Sequence, residues 1–223
     1  MVDMAGQDAA RPFDDIDAEM VRYYAARASE YDDWYLRRGR YSHGHLHDEA
    51  WTADLEAAAA WLNSRPFHGR IAELAAGTGW WSPALAAQGQ LTLYDAAPEP
   101  LARARARLEE AGLAAEFKVR DAWAVPDRVV DGLFAGFWIS HIDRERLDEF
   151  FVLAATWLAP GGLLAFIDSR ADPESGARDH RPPEETFRLD TSTVAGASGS
   201  ERSSTSRRIS SRRWDELAST RSR

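Results

Sequence analysis

Two glycines and three polar side chains give this chain its chemistry. Gly77 and Gly79 sit in the tight turn Ala75-Ala76-Gly77-Thr78-Gly79, which closes the apolar run Ile71 to Leu74 and opens a helical segment from Trp80 to Gln88. Without a Cβ, both glycines let the backbone bend sharply and approach a ligand closely. Asp95 closes the next apolar run, eighteen positions after Gly77. A carboxylate about 20 residues past a glycine turn is placed to accept hydrogen bonds from ribose hydroxyls. Asp121 ends a third apolar segment and His141 follows a fourth. Acidic groups at successive strand ends, with a titratable imidazole beside them, describe a crevice for a nucleoside and a proton acceptor next to it.

Two nucleoside cofactors compete for such a crevice, a nicotinamide dinucleotide and S-adenosylmethionine. The dinucleotide fingerprint places a third glycine three positions after the second, for close helix–strand packing. Ser82 holds that position here, behind the bulky pair Trp80-Trp81. Two indoles crowd a pyrophosphate, whereas a compact sulfonium tolerates them.

The segment E-L-A-A-G-T-G, residues 73–79, resembles the first motif of class I S-adenosylmethionine-dependent methyltransferases, with Ala75 in place of the usual first glycine. Tyr94-Asp95 is similar to the second motif and Val119-Arg120-Asp121-Ala122-Trp123 to the third. Gly136-Phe137-Trp138-Ile139-Ser140-His141 resembles the fourth, and Leu158-Ala159-Pro160-Gly161-Gly162 the turn before strand five. The resemblance covers roughly residues 20–185. It implies S-adenosylmethionine as cofactor. Glu73, Gly77, Thr78 and Gly79 would shape the methionine and ribose pocket, Asp95 with Ala96 would meet the ribose, and Asp121 with the backbone at Ala122 and Trp123 would hold adenine. Phe137 would wall the pocket. The run YYAARASEYD, residues 23–32, resembles the N-terminal lid of small-molecule methyltransferases, which implies that Tyr31 covers the cofactor and that Arg27 meets its carboxylate. Tyr23 and Tyr24 fit aromatic packing equally well.

The transferred methyl needs a nucleophile held in line and, for some acceptors, a base. His141 is the candidate general base, read as the end of strand four, because imidazole titrates near neutral pH. A histidine that orders its loop or touches cofactor is the competing reading. His43, His45 and His47 would share one face of a strand, but Gly44 interrupts them in a segment that reads as a loop, so no metal site is expected. Asp168-Ser169-Arg170 and Asp179-His180 follow strand five near the same rim without an assigned step.

The elements that must position these groups alternate. Helices are expected over 12–36, rich in aromatics, and over 48–63. Strand 70–75 then leads to helix 80–88, and strand 91–95 to helix 98–111, with Pro98 near its start and Gly112 after its end. Strand 115–120 precedes an irregular linker around Pro126. Strand 132–138 leads to helix 143–158, and strand 163–168 follows. This order predicts an α/β fold, a Rossmann-like doubly wound, mostly parallel sheet with helices on both faces. Three regions are expected: an N-terminal helical lid (1–65), a cofactor-binding core (66–190) and a Ser/Arg-rich tail (191–223).

With 223 residues, 44% of them hydrophobic, the chain can bury the core of one such domain. It has no cysteine, which excludes disulfides, a thiolate nucleophile and cysteine-ligated metal. No run is long and apolar enough to span a membrane, and no signal peptide is visible, so a cytoplasmic location is expected. The net charge of −9 combines +4 in the tail with −13 over residues 1–190. An acidic body repels phosphate backbones, which argues against nucleic acid and for a small-molecule substrate. Oligomeric state has no signature here. Residues 191–213 hold only Val194 and Ile209 as aliphatics larger than alanine, a composition that reads as disordered. The family's closing helix and hairpin strands are not recognisable there, so they are expected to be missing or replaced. Arg outnumbers Lys 26 to 1, a sign of GC-rich coding DNA. A reading frame shifted near residue 190 and a natural flexible tail stand as equal readings. Three functions follow in order: methylation of a small molecule at O, N or carboxylate, oxidoreduction with NAD(P), and nucleoside binding without catalysis.

Overall fold

A computed structural model describes Arg22 and residues 26–168. The strands are β1 (Arg70–Leu74), β2 (Gln90–Asp95), β3 (Glu116–Val119), β4 (Val130–Gly136) and β5 (Leu158–Ile167). The helices are α1 (Tyr31–Tyr35), α2 (His45–Asn63), α3 (Ser82–Ala86), α4 (Pro98–Glu110) and α5 (Leu147–Trp157). The sheet order is β3-β2-β1-β4-β5 and every neighbouring pair is parallel. Strand order therefore reverses between β1 and β4. A parallel sheet opens its ligand crevice at that switch point, outside the carboxyl ends of the strands.

The side-chain period of two divides β1 between two cores. Ala72 and Leu74 point to the face where Phe150, Ala154 and Trp157 of α5 pack with Tyr94 and Leu133. Ile71 points to the opposite face, with Leu62 of α2, Leu85 of α3 and Leu101, Ala104 and Leu108 of α4. Helices thus cover both faces, and strands buried on both sides are near-continuous apolar runs. Glu73 shares the face of Ile71 and is 2% exposed, a carboxyl where the pattern calls for an aliphatic side chain.

Several elements differ from the sequence expectation. Within the helix expected over 12–36, residues 12–21 and 23–25 lie outside the described residues. A 3-10 turn at Ala28–Glu30 leads into the five residues of α1. Helix α2 starts at His45, earlier than residue 48, because Asp48 accepts hydrogen bonds from Ser42 Oγ and His43 N at 2.6 and 3.0 Å and fastens its first turn. Helix α3 is shorter than 80–88, because Trp80 and Trp81 still belong to the turn. Strand β4 stops at Gly136, since Phe137 adopts a left-handed φ of 53°. Strand β5 begins at Leu158. The expected turn Pro160-Gly161-Gly162 is an excursion within it, where Val130 pairs with Leu158 but Gly132 with Leu163, and Gly161 takes φ 81°. Ser169 and Arg170, Asp179 and His180, the tail 191–223 and any closing strands lie outside the described residues. Among the described residues no helix is long and apolar enough to cross a membrane.

Candidate active site

The turn after β1 is built on left-handed residues: Ala75, Gly77 and Gly79 take φ of 49°, 55° and 73°. Ala75 adopts without its usual glycine a conformation that costs an L-residue roughly 1–2 kcal/mol. Gly79 has a steric reason as well. A Cβ there would lie 2.7 Å from Ala104 Cβ on α4 and 3.0 Å from Ser82 Oγ. The third-glycine position of a dinucleotide turn is thus held by a fully buried serine, and its hydroxyl donates to Glu73 Oε2 at 2.5 Å. Glu73 lies beneath the turn rather than open to the crevice. Burial pushes its pKa up to about 8, with the Asp95 carboxylate adding to the rise, while the Ser82 hydrogen bond and Arg107 oppose it.

Asp95, at the end of β2, grips the turn. Its Oδ2 accepts from Gly77 N at 2.8 Å and its Oδ1 from Ala97 N at 3.0 Å, with Ala96 half-buried between them. Each oxygen keeps a second lone pair for a ligand hydroxyl. Desolvation raises its pKa, the backbone N–H groups oppose this, and the charge of Asp121 adds to the rise. Asp121 follows β3, and its Oδ1 accepts from Trp123 N at 2.6 Å, closing an Asx turn around the buried Ala122. Trp123 lies edge-on to Phe150 and carries the Arg146 guanidinium 3.9 Å above its ring.

The N-terminal segment lies over this turn. A Cβ on Gly77 would meet Tyr31 Cε1 at 3.6 Å, so the Tyr31 ring covers the glycine. The neighbouring Asp32 Oδ1 accepts from Thr78 Oγ1 at 3.2 Å and from Arg107 Nη2 on α4 at 2.6 Å. Tyr35 stacks on Trp80 at 4.2 Å with rings parallel to within 2°. Phe137, whose N–H donates to Ile167 O at 2.7 Å, packs edge-on to Trp34 at 4.8 Å and to Tyr35 at 5.6 Å. The two indoles read as obstacles to a pyrophosphate therefore also serve as a floor for α1.

Glycine turn, Asp95, Asp121, Phe137 and Tyr31 thus gather at the carboxyl edge of β1, β2, β3 and β4. His141 departs from the expectation. It ends no strand but closes a 3-10 turn, Ile139–His141, after the left-handed Phe137, and its side chain is exposed. That turn is anchored by Ser140 N donating to Asp168 Oδ2 at 2.7 Å, which gives Asp168 of the predicted rim a positioning contact. Arg27 pairs with the Tyr41 hydroxyl and, at 3.6 Å, with Glu30. His43 and Gly44 lie in the expected loop, but His45 and His47 fall on helix α2, where residues two apart diverge, so the three histidines share no strand face. Among the described residues no cluster of His, Asp and Glu is arranged to hold a metal ion. Arg107 was not legible as a site residue, and Asp32 only as the last residue of the lid-like run 23–32. Their pairing spans 75 positions, and the only local hint is an acid beside Tyr31.

A family model described as a methyltransferase domain matches residues 71–162. The solved structure of a DhpI–SAH complex is 31% identical, covers 69% of this chain and 69% of that one, and superposes with a TM-score of 0.54. A DhpI–SAM–HEP complex is 32% identical over 70% of this chain and 66% of that one, again with a TM-score of 0.54. No curated protein sequence matches the chain.

Proposed function

The chain belongs to the class I S-adenosylmethionine-dependent methyltransferases, and on that premise we propose that it methylates a small molecule at an oxygen, nitrogen or carboxylate. One observation carries the acceptor class: the N-terminal segment roofs the glycine turn, with Tyr31 over Gly77 and Asp32 fastened to Thr78 and Arg107. A roofed crevice suits a compact acceptor better than a polymer that must lie along an open groove. The charge of −13 over residues 1–190 points the same way, against a phosphate backbone. A cytoplasmic location belongs to this reading.

S-adenosylmethionine is the cofactor, and it supplies the electrophilic methyl group. The donor set fits it: two carboxylates at adjacent strand ends, an aromatic cover, and a serine where a pyrophosphate turn would need glycine. In the proposed assignment Asp95 receives the ribose hydroxyls, its orientation fixed by Gly77 N and Ala97 N, with Ala96 alongside. Asp121 and the backbone of Ala122 and Trp123 receive adenine. Gly77, Thr78 and Gly79 shape the methionine side, Glu73 supports them from beneath, Phe137 walls the crevice and Tyr31 closes it. His141 takes a proton from an acceptor that is not already anionic, acting from an exposed position in the 3-10 turn after β4.

Turnover tests the proposal. Full-length protein is incubated with methyl-labelled S-adenosylmethionine and a panel of small alcohols, amines and carboxylic acids, guided by mass spectrometry of any co-purified ligand. Labelled small-molecule product is expected. Label found only in added protein or nucleic acid would overturn the acceptor class, and cofactor binding without any transfer would make the chain a binding module.

A further inference from the structure

Asp32 is the point where the roof of the crevice is fastened. Its Oδ1 takes two donors from two different elements, Thr78 Oγ1 on the glycine turn at 3.2 Å and Arg107 Nη2 on α4 at 2.6 Å. The adjacent residue is Tyr31, whose ring covers Gly77. Arg107 is held from below, since its guanidinium lies 5.2 Å over the Trp80 ring, and Trp80 in turn stacks on Tyr35 at the far end of the same short helix. A five-residue helix cannot hold itself in place by its own hydrogen bonds, because forming so short a helix is unfavourable in isolation. Its position must therefore come from contacts with its surroundings, these anchors among them, together with Phe137 against Trp34 and Trp51 Nε1 donating to Tyr35 O at 2.9 Å. The Tyr35–Trp80 stack anchors its carboxyl end by dispersion, and the Asp32 carboxylate anchors its amino end by charge. The carboxylate side chain is 43% exposed and that of Arg107 23%. Because the carboxylate faces water on one side, the pair can open there without unfolding the core.

We infer that Asp32 is a positioning residue, the latch whose ion pair with Arg107 and hydrogen bond from Thr78 hold Tyr31 over the cofactor and set the rate at which the nucleoside product leaves. The inference rests on the reading of Tyr31 as a cofactor cover. Closing the roof slows escape of a bound nucleoside, and because the latch is also closed in the empty protein it slows entry too, since both draw on the unlatched population.

The probe is S-adenosylhomocysteine. Its dissociation from the full chain is followed by stopped-flow tryptophan fluorescence after displacement. Asp32→Ala and Arg107→Ala should each raise koff about 3–10-fold, in the range of one partly exposed charged pair and its hydrogen bonds, and kon should rise rather than fall, because entry also draws on the unlatched population. The double variant should be no faster than the faster single, because both changes remove one latch. Tyr31→Ala should also raise koff, and Asp32→Ala should add nothing on that background. In the wild type koff should climb with salt as the pair is screened, and in Asp32→Ala it should not. Should Arg107→Ala fail to fold, Arg107→Lys and Asp32→Asn apply the same comparison with smaller changes of shape. Wild-type protein that binds S-adenosylhomocysteine while every variant keeps koff unchanged would overturn the latch alone. So would additive effects, or an Asp32 effect that survives loss of the Tyr31 ring. Wild-type protein that is folded but does not bind the probe would instead overturn the cofactor assignment beneath it.

Discussion

Glu73→Gln should make the protein more stable in mild base, and the structure says by how much and over which pH range. Glu73 is buried below the glycine turn, 2% exposed, with Ser82 Oγ donating to it at 2.5 Å. Burial raises its pKa from 4.5 to about 8, the Asp95 charge adds to the rise, and Ser82 and Arg107 only partly oppose it. At neutral pH the folded chain therefore keeps a proton that the unfolded chain has released. A folded-state pKa above the unfolded one contributes stability that is fully present below about 4.5 and is lost as pH rises through about 8. That window is about 3.5 pH units wide, and each unit is worth about 1.4 kcal/mol, so the ceiling on the loss is about 5 kcal/mol. A domain holds only about 5–15 kcal/mol in total, so the effect is large enough to measure.

Glutamine has the same length, still accepts from Ser82 and has no proton to release. Urea unfolding from pH 5 to 9 should give curves in which wild type loses stability with rising pH and Glu73→Gln loses much less. The two proteins should lie within about 1 kcal/mol of each other near pH 5 and diverge in favour of the variant by several kcal/mol near pH 8.5. A variant less stable than wild type at every pH, with parallel pH dependence, would mean that Glu73 is ionised in the folded state, and the argument from desolvation would fail.

Asp95→Ala removes the acceptor of both Gly77 N and Ala97 N. Calorimetry with S-adenosylhomocysteine should show affinity lowered roughly 10–100-fold, the scale of a lost hydrogen bond to a charged group, and an unchanged Kd would clear Asp95 of the ribose role. Gly79→Ala would set a methyl 2.7 Å from Ala104 Cβ on a left-handed backbone. It should cost about 2–4 kcal/mol in a thermal or urea melt, partly relieved by Ala104→Gly, and a cost unrelieved by that change would place the strain in the backbone alone. His141→Ala should lower kcat by roughly 10²–10⁴-fold with S-adenosylhomocysteine affinity unchanged. Lost affinity with kcat intact would make His141 a binding residue, and an acceptor that is already anionic should leave both constants unmoved.

The parallel sheet, the glycine turn and the acids at the ends of β2 and β3 were readable because each is fixed by residues near in sequence. Short continuous apolar runs, a pair of glycines and a spacing of eighteen positions are local signals, and all come together at one sheet edge. Glu73 was half readable. Its place in the motif is visible in the sequence, and a period-two count puts it on the face of Ile71, but only the fold shows that this face is closed and that Ser82 waits beneath. Gly136 lies within the strand expected over 132–138, and its role, to leave room for Trp81, whose Cδ1 would lie 2.5 Å from a Cβ, is visible only in the fold. The left-handed φ falls on the next residue, Phe137, and nothing in an aromatic side chain announces it.

That left-handed residue has a consequence for the chemistry. With β4 ended at Gly136 and the chain redirected at Phe137, the segment to His141 becomes a 3-10 turn tied to Asp168 rather than a continued strand. The imidazole is then carried by a turn whose position depends on β5 as much as on β4. The same dependence on distant partners governs the roof, where Asp32 answers to Arg107 and Tyr35 to Trp80. The strand-end part of the cofactor site is thus written in short-range backbone geometry. The roof over the cofactor and the turn that carries His141 are assembled from contacts between elements remote in sequence. A motif locates the first kind and cannot locate the second, and this is why the cofactor was legible before the structure while the acceptor was not.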